Sequence, residues 1–463
     1  MSSPRAISFS TSTPAGSRSS SAAAARGDAR PSMNPSDIPW IGDIPEAWGI
    51  KRGKAILTPL KRPVRVDDEI ITCFRDGEVT LRKTRREDGF TVAEKEIGYQ
   101  GVEKDDLIVH GMDGFAGSIG ISDSRGKASP VLIVLDSPEH KRFLMYYLRS
   151  LALCDVFLSL ATGVRERSCD LRWNKIGNLP FLLPPLPEQR AIAAFLDDKC
   201  AAIDALADEA KASLSEYADW KRSIIFHAVT KGIPADGGGR PSSAAAARGD
   251  ARPPMKDSGV EWIGNIPAHW QVLPLKTQTD MLTPMRDRPE HLDGPIPWIR
   301  IEDFDGKYIA ASKDGLGVSE ETVRLMNLKV YPVGTVLCTS SCDLGKCAIV
   351  STPLVSNQRF IGIVPKAGLL SDFLYYLMLS NADRLNMLST GTIQANLSRV
   401  EFERLQVQIP PLAEQRAIAT WLDEKCAAIE ALVEEKKRLL DDLASYKKSL
   451  IYETVTGKRR VLR

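Results

Sequence analysis

The stretch PPLPEQRAIAAFLDDKCAAIDAL (residues 184–206) returns as PPLAEQRAIATWLDEKCAAIEAL (410–432), identical at 18 of 23 positions and offset by 226 residues. Two shorter stretches return at an offset of 222. SSAAAARGDARPSM (20–33) becomes SSAAAARGDARPPM (242–255), and WIGDIPEAW (40–48) becomes WIGNIPAHW (262–270). The chain is therefore one unit written twice. Each unit runs in the same order: polar linker, Trp/Pro entry, variable block, Pro-Pro punctuation and a long Gly- and Pro-free run. Two copies of roughly 220 residues are too few and too large for a solenoid. The fold must be a duplication whose middle segments have drifted.

The Gly- and Pro-free runs predict helices of about 42 residues, near 60 Å at ~1.5 Å per residue. In the first, Ile192, Leu196, Ile203, Leu206, Ala210, Tyr217, Trp220 and Ile224 lie on a 4-3 spaced seam, with Lys199 and Ser213 as misfits. In the second the seam reads Ile418, Leu422, Ile429, Leu432, Leu439, Leu443, Tyr446 and Leu450, with Lys425 and Lys436 as misfits. A sustained 3.5 period predicts a coiled coil. Antiparallel packing of the two helices buries both seams. Ile192, Leu196, Ile203 and Leu206 are then expected against Ile418, Leu422, Ile429 and Leu432 or their neighbours. Gly232 and Gly457 supply the stops.

The blocks between read as mixed α/β (α+β). Short β-rich runs (DLIVHGM, PVLIVLD, TVLCTSS, FIGIVP) alternate with turn residues, and helical runs follow at 140–153 and 371–385. The expected boundaries are a disordered Ser/Ala/Arg-rich extension (1–33), a first block (34–187), a first helix (188–232), a linker (233–256), a second block (257–413), a second helix (414–457) and a basic tail (458–463).

Catalytic signals are missing. GFAGSIG (114–120) reads as a strand and turn, not a cofactor loop. SSCDLGKCAI lacks the glycine spacing of a phosphate-binding loop. Cys338, Cys342 and Cys347 have no fourth ligand nearby in sequence and read as small buried residues rather than a zinc site. No catalytic residues, metal ligands or cofactor are expected in this chain. A net charge of +2 argues against a non-specific nucleic-acid binder. Local candidates do exist. RDGEVTLRKTRR (75–86) concentrates Arg75, Arg82, Lys83, Arg85 and Arg86. TGVRER presents Arg165 and Arg167, and TGTIQANLS presents Thr392, Gln394 and Asn396 at the matching place before the second Pro-Pro. Lys346 adds a further cation. Arg reads guanine edges, and Asn or Gln reads adenine. No run of about 18 apolar residues crosses a membrane. The N-terminus lacks the apolar core of a secretory signal. Eight scattered cysteines fit a reducing cytoplasm.

PPLxEQRAIA followed by a long heptad helix, twice, together with GVEWIGNIPAHWQVLPLK and NLPFLLPPLPEQ, resembles the specificity (S) subunit of type I restriction–modification enzymes. The resemblance runs over nearly the whole chain after Met33. It implies two target recognition domains that each read half of a bipartite double-stranded DNA sequence, separated by two antiparallel spacer helices. It implies two methyltransferase (M) subunits as partners, which carry S-adenosylmethionine, with restriction and translocation (R) subunits able to join. It also implies no catalysis by the chain itself. A solo DNA methyltransferase or nuclease, and a coiled-coil scaffold that binds protein alone, are the competing readings.

Overall fold

The computed structural model describes residues 32–85, 96–159, 171–234, 254–284, 287–341, 344–388 and 397–461. Four helices organise it: α1 (Lys141–Leu153), α2 (Leu186–Lys231), α3 (Ser371–Ser380) and α4 (Leu412–Val455). The chain divides into two compact units, Met1–Ala207 with Asp441–Arg463, and Asp208–Leu440. Each long helix thus contributes one end to each unit.

α2 and α4 run 46 and 44 residues. Each begins just after a Pro-Pro pair, whose carbonyls accept the first amides: Glu188 and Gln189 donate to Pro185, and Glu414 and Gln415 to Pro411. Each ends at a glycine in the left-handed region, Gly232 (φ 83°) and Gly457 (φ 74°), where a side chain would be strained.

In the first unit, Ile192, Leu196, Cys200 and Ile203 of α2 share a core with Leu450, Ile451 and Val455 of α4. In the second, Ile418, Leu422 and Cys426 of α4 share a core with Ile225, Ala228 and Val229 of α2. The start of each helix therefore meets the end of the other. Ile192, Leu196 and Ile203 do not meet Ile418, Leu422 and Ile429, because antiparallel packing exchanges the partners of a repeated sequence.

The seam also differs from the heptad reading. Its regularly spaced buried or half-buried positions are Ile192, Leu196, Cys200, Ile203, Ala207, Ala210, Leu214, Tyr217, Lys221, Ile225 and Ala228, with Ser213 and Ile224 half-buried beside them. That is 36 residues in ten steps, the 3.6 period of a straight helix rather than the 3.5 of a supercoil. α4 repeats it from Ile418 to Thr454. Cys200 and Cys426 fill the places assigned to Lys199 and Lys425. Leu206 (53%), Trp220, Leu432 (37%), Leu439 and Tyr446 are exposed instead.

The block of the first unit holds a four-stranded antiparallel sheet in the order Thr58–Pro59, Leu132–Asp136, Leu107–His110, Ile119–Ile121. The period-2 alternation of a strand divides its faces. Leu107, Val109 and Ile119 pack with Phe143, Leu144 and Tyr147 of α1. Ile108, Leu132 and Val134 pack with Ile71, Cys73 and Val79 of the hairpin Ile71–Cys73/Val79–Leu81. The second unit repeats the plan with a five-stranded sheet: Thr279–Leu282, Phe360–Pro365, Val336–Thr339, Cys347–Val350, Tyr308–Ile309. α3 packs on one face, and Tyr331 and Ile299 lie in the core on the other. Both units are mixed α/β, as the sequence predicts, and the expected strand runs and helices stand in the expected order. Among the described residues no helix is long and apolar enough to cross a membrane.

Candidate nucleic-acid interface

The repeated EQR motif is a structural staple. The Trp48 indole N–H donates to Glu188 Oε2 (3.2 Å), and Trp270 donates to Glu414 Oε2 (2.9 Å). Gln189 is fully buried. Its Oε1 accepts the His140 amide (2.9 Å), and its Nε2 donates to Glu139 and to the Pro184 carbonyl. Gln415, equally buried, accepts the Leu370 amide (2.8 Å) and donates to the carbonyls of Gly368 and Pro410. In each unit one glutamine ties the Pro-Pro entry to the start of α1 or α3, which fixes the sheet against its long helix.

That fixed frame carries a β-hairpin tip in each unit. Between Leu107–His110 and Ile119–Ile121 lies the tip 111–118, and between Val336–Thr339 and Cys347–Val350 lies the tip 340–346. His110 organises the first tip: its Nδ1 accepts the amides of Met112 (3.2 Å) and Asp113 (3.0 Å). Burial pushes the His110 pKa below its ordinary value, so the ring stays a neutral acceptor at pH 7. The residue leaving each polar loop is pinned to its tip in the same way. Leu171 donates its amide to Gly111 O at 2.8 Å, and Leu397 donates to Ser340 O at 2.8 Å. The residues that follow segments 160–170 and 389–396 are therefore held at equivalent places in the two units. Arg165, Arg167, Thr392, Gln394 and Asn396, which they carry, lie outside the described residues, as does Arg86. Lys346 is exposed at the end of the second tip.

Arg75, Arg82 and Arg85 of the basic stretch line a cleft of about 920 Å³ in the first unit together with His110 and Asp113. It is not a bare cationic patch. Arg85 grips Asp76 (3.0 and 2.5 Å), reaches Glu78 (2.8 Å) and lies 4.2 Å over the Phe74 ring. Arg75 pairs with Asp113 at 3.1 Å, Lys83 with Glu69 at 2.6 Å, and Arg82 Nε donates to Thr72 Oγ1 at 3.4 Å. Burial raises the Asp76 carboxyl, but the Arg85 hydrogen bond and the Glu78 amide outweigh it and hold the group below the usual carboxylate range. Arg149 of α1 reaches the same turn, with its guanidinium against Gly77 (φ 92°). Nothing in the apolar spacing of α1 marks Arg149, and nothing in HGMD marks the role of His110.

A strand pair, an adjoining sheet and one amide hydrogen bond onto the residue after the first strand, from Leu171 or Leu397, thus recur in both units. Residues 283–440 match the model of the type I restriction modification DNA specificity domain. The MjaIX specificity subunit of Methanocaldococcus jannaschii is 33% identical over 182 residues, 38% of this chain and 41% of that relative. The chain thus spans about two fifths of that relative's length in this match. A putative MjaX specificity subunit of the same organism is 22% identical over 456 residues, 91% of this chain and 96% of the relative. A chain from a structural study of assembly and conformational transition of the type I R-M system superposes with a TM-score of 0.68 at 13% identity, covering 90% of this chain and 99% of that one. The HsdS subunit from Thermoanaerobacter tengcongensis gives 0.51 at 15%, covering 90% and 98%. The chain is thus similar to type I restriction–modification specificity subunits, and residues 283–440 carry the match to their DNA specificity domain.

Proposed function

We propose that each unit reads one half of a bipartite double-stranded DNA sequence and that the chain catalyses nothing by itself. The observation that carries this reading is the matched pair of hairpin tips. In each, the loop end is held by the same amide-to-carbonyl bond, while the loop residues differ. A shared frame with divergent contact residues is what a reader of two different half-sites requires, because phosphate contacts position and base contacts specify. Arg165 and Arg167 would serve the first half-site, and Lys346, Thr392, Gln394 and Asn396 the second. Arg75, Arg82, Lys83, Arg85 and Arg86 would follow the phosphates. The carboxylate partners of Arg75, Lys83 and Arg85 hold those three side chains until DNA replaces some of the pairs. Arg75→Ala should weaken binding about uniformly across sequences. It should also lower the slope of log K against log salt by about one, read by fluorescence anisotropy from 50 to 200 mM salt. An unchanged slope removes Arg75 from the interface.

Two methyltransferase subunits bearing S-adenosylmethionine would dock on α2 and α4, with restriction subunits joining them. The exposed apolar residues of the long helices support this. Leu432, Leu439 and Tyr446 recur every seven residues along α4, and Leu206 and Trp220 stand fourteen apart on α2, a spacing that suits a partner helix. Leu432→Asp with Leu439→Asp should abolish capture of the M subunit by affinity pull-down while the melting temperature holds. Undiminished capture would discard this surface.

The deciding experiment exchanges residues 257–409 for the equivalent block of a relative and reads the methylated motif by single-molecule sequencing. Only the second half-site should change. A solo enzyme would instead methylate or cleave without an M subunit, and a protein scaffold would leave the motif untouched.

A further inference from the structure

Strands Val336–Thr339 and Cys347–Val350 pair antiparallel, with Cys338 directly opposite Cys347. Thr339 donates its amide to Lys346 O at 3.0 Å, and Val350 donates to Thr335 O at 2.9 Å. Hydrogen-bonded and non-hydrogen-bonded pairs alternate along such a ladder, so the Cys338–Cys347 pair is of the non-hydrogen-bonded kind, with Cα atoms about 4.5 Å apart. A disulfide spans Cα separations of about 4.4–6.8 Å. The Sγ atoms lie 2.8 Å apart. Both thiols point to the α3 face of the sheet, with Cys338 fully buried and Cys347 5% exposed. Two apolar side chains would fill this site as well, and nothing in the proposed reading of DNA uses sulfur.

We propose that Cys338 and Cys347 form a redox modification site, at which a peroxide closes a disulfide across the base of the 340–346 hairpin. The Cys347 thiolate, the less buried of the two, attacks one peroxide oxygen and becomes a sulfenic acid as the other oxygen leaves as water once protonated. Cys338 sulfur then displaces the sulfenic oxygen as a second water. Two thiols lose two protons and two electrons, and the peroxide is reduced to two waters. Burial holds the Cys338 thiol well above its ordinary pKa, so closure is slow at neutral pH and quickens in alkali. The bond would add a covalent link between two strands now held by the backbone ladder and core packing.

The test treats the full-length Cys342→Ser chain with hydrogen peroxide, alkylates free thiols and digests with trypsin without reductant. Cleavage after Lys329, Lys346 and Arg359 separates peptide 330–346, whose one remaining cysteine is Cys338, from peptide 347–359, which carries Cys347. The expected product is the two peptides joined, two hydrogens lighter than their sum. It should be split by dithiothreitol and absent when Cys347→Ser is added. Amide exchange across 340–346 should slow in the oxidised protein. Separate peptides with alkylated or over-oxidised cysteines overturn the proposal. If Cys342→Ser does not fold, fragmentation of the joined peptides from the unmodified chain locates the bond, and a bond at Cys342 overturns the proposal equally.

Discussion

Leu196→Asp is expected to unfold the first unit, whereas Leu206→Asp, ten residues along the same helix, is expected to shift stability by no more than about 0.5 kcal/mol. Both leucines fall on the heptad seam read from the sequence, and only burial separates them. Leu196 is fully buried in the core that α2 forms with Leu450, Ile451 and Val455, while Leu206 is 53% exposed. Removing a buried leucine costs about 2–5 kcal/mol in packing alone. An unpaired carboxylate in its place adds several more. Together these approach the ~5–15 kcal/mol that holds a whole domain folded. Leu422→Asp should do the same to the second unit, where Leu422 is fully buried beside Ala228 and Val229. Thermal melts followed by circular dichroism check the ranking. Equal losses at Leu196 and Leu206 would mean that the helices pack through the heptad seam after all.

The contrast shows where sequence reasoning held and where it stopped. The existence of α2 and α4 was legible because over forty residues without Gly or Pro leave few alternatives to a helix. The register was not legible. A 3.5 template and a 3.6 period differ by only ~0.1 residue per turn, so apolar spacing alone does not fix which of two adjacent positions faces the core, and here it is Cys200 rather than Lys199 and Val433 rather than Leu432. Cysteine packs as a small hydrophobe, a role that a search for leucine seams passes over. Pairing failed for a different reason: a repeat suggests that like meets like, while an antiparallel pair joins beginnings to ends. In the basic stretch 75–86 the sequence shows five cations. It does not show that chain folding brings Glu69 and Asp113 beside them. The polar stretches before each Pro-Pro, which lie in or beside segments outside the described residues, are located in the sequence by their place in the repeat. The amide bonds that end them, Leu171 to Gly111 and Leu397 to Ser340, join residues some sixty apart and leave no local trace.

The same logic makes the buried glutamines the most sensitive polar positions of the repeat. Gln415→Leu keeps the volume nearly constant, so packing is preserved and only hydrogen bonding is lost. The Leu370 amide and the carbonyls of Gly368 and Pro410 then lose a partner they have at 2.8–2.9 Å. Each buried group left unpaired costs about 1–3 kcal/mol, so the total loss is expected to reach several kcal/mol. It should fall on the second unit first, because Gln415 links the Pro-Pro entry of α4 to the start of α3. Gln189→Leu should act likewise on the first unit through His140 and Pro184. Glu414→Gln is the control: it leaves an oxygen for the Trp270 indole at a part-exposed site and should be nearly neutral. Amide exchange resolves the two units without separating them. Gln415→Leu should speed exchange in α3 and the strands beneath it while α1 keeps its protection. If exchange rises equally in both units, or in neither, the glutamine is not the staple that its contacts describe.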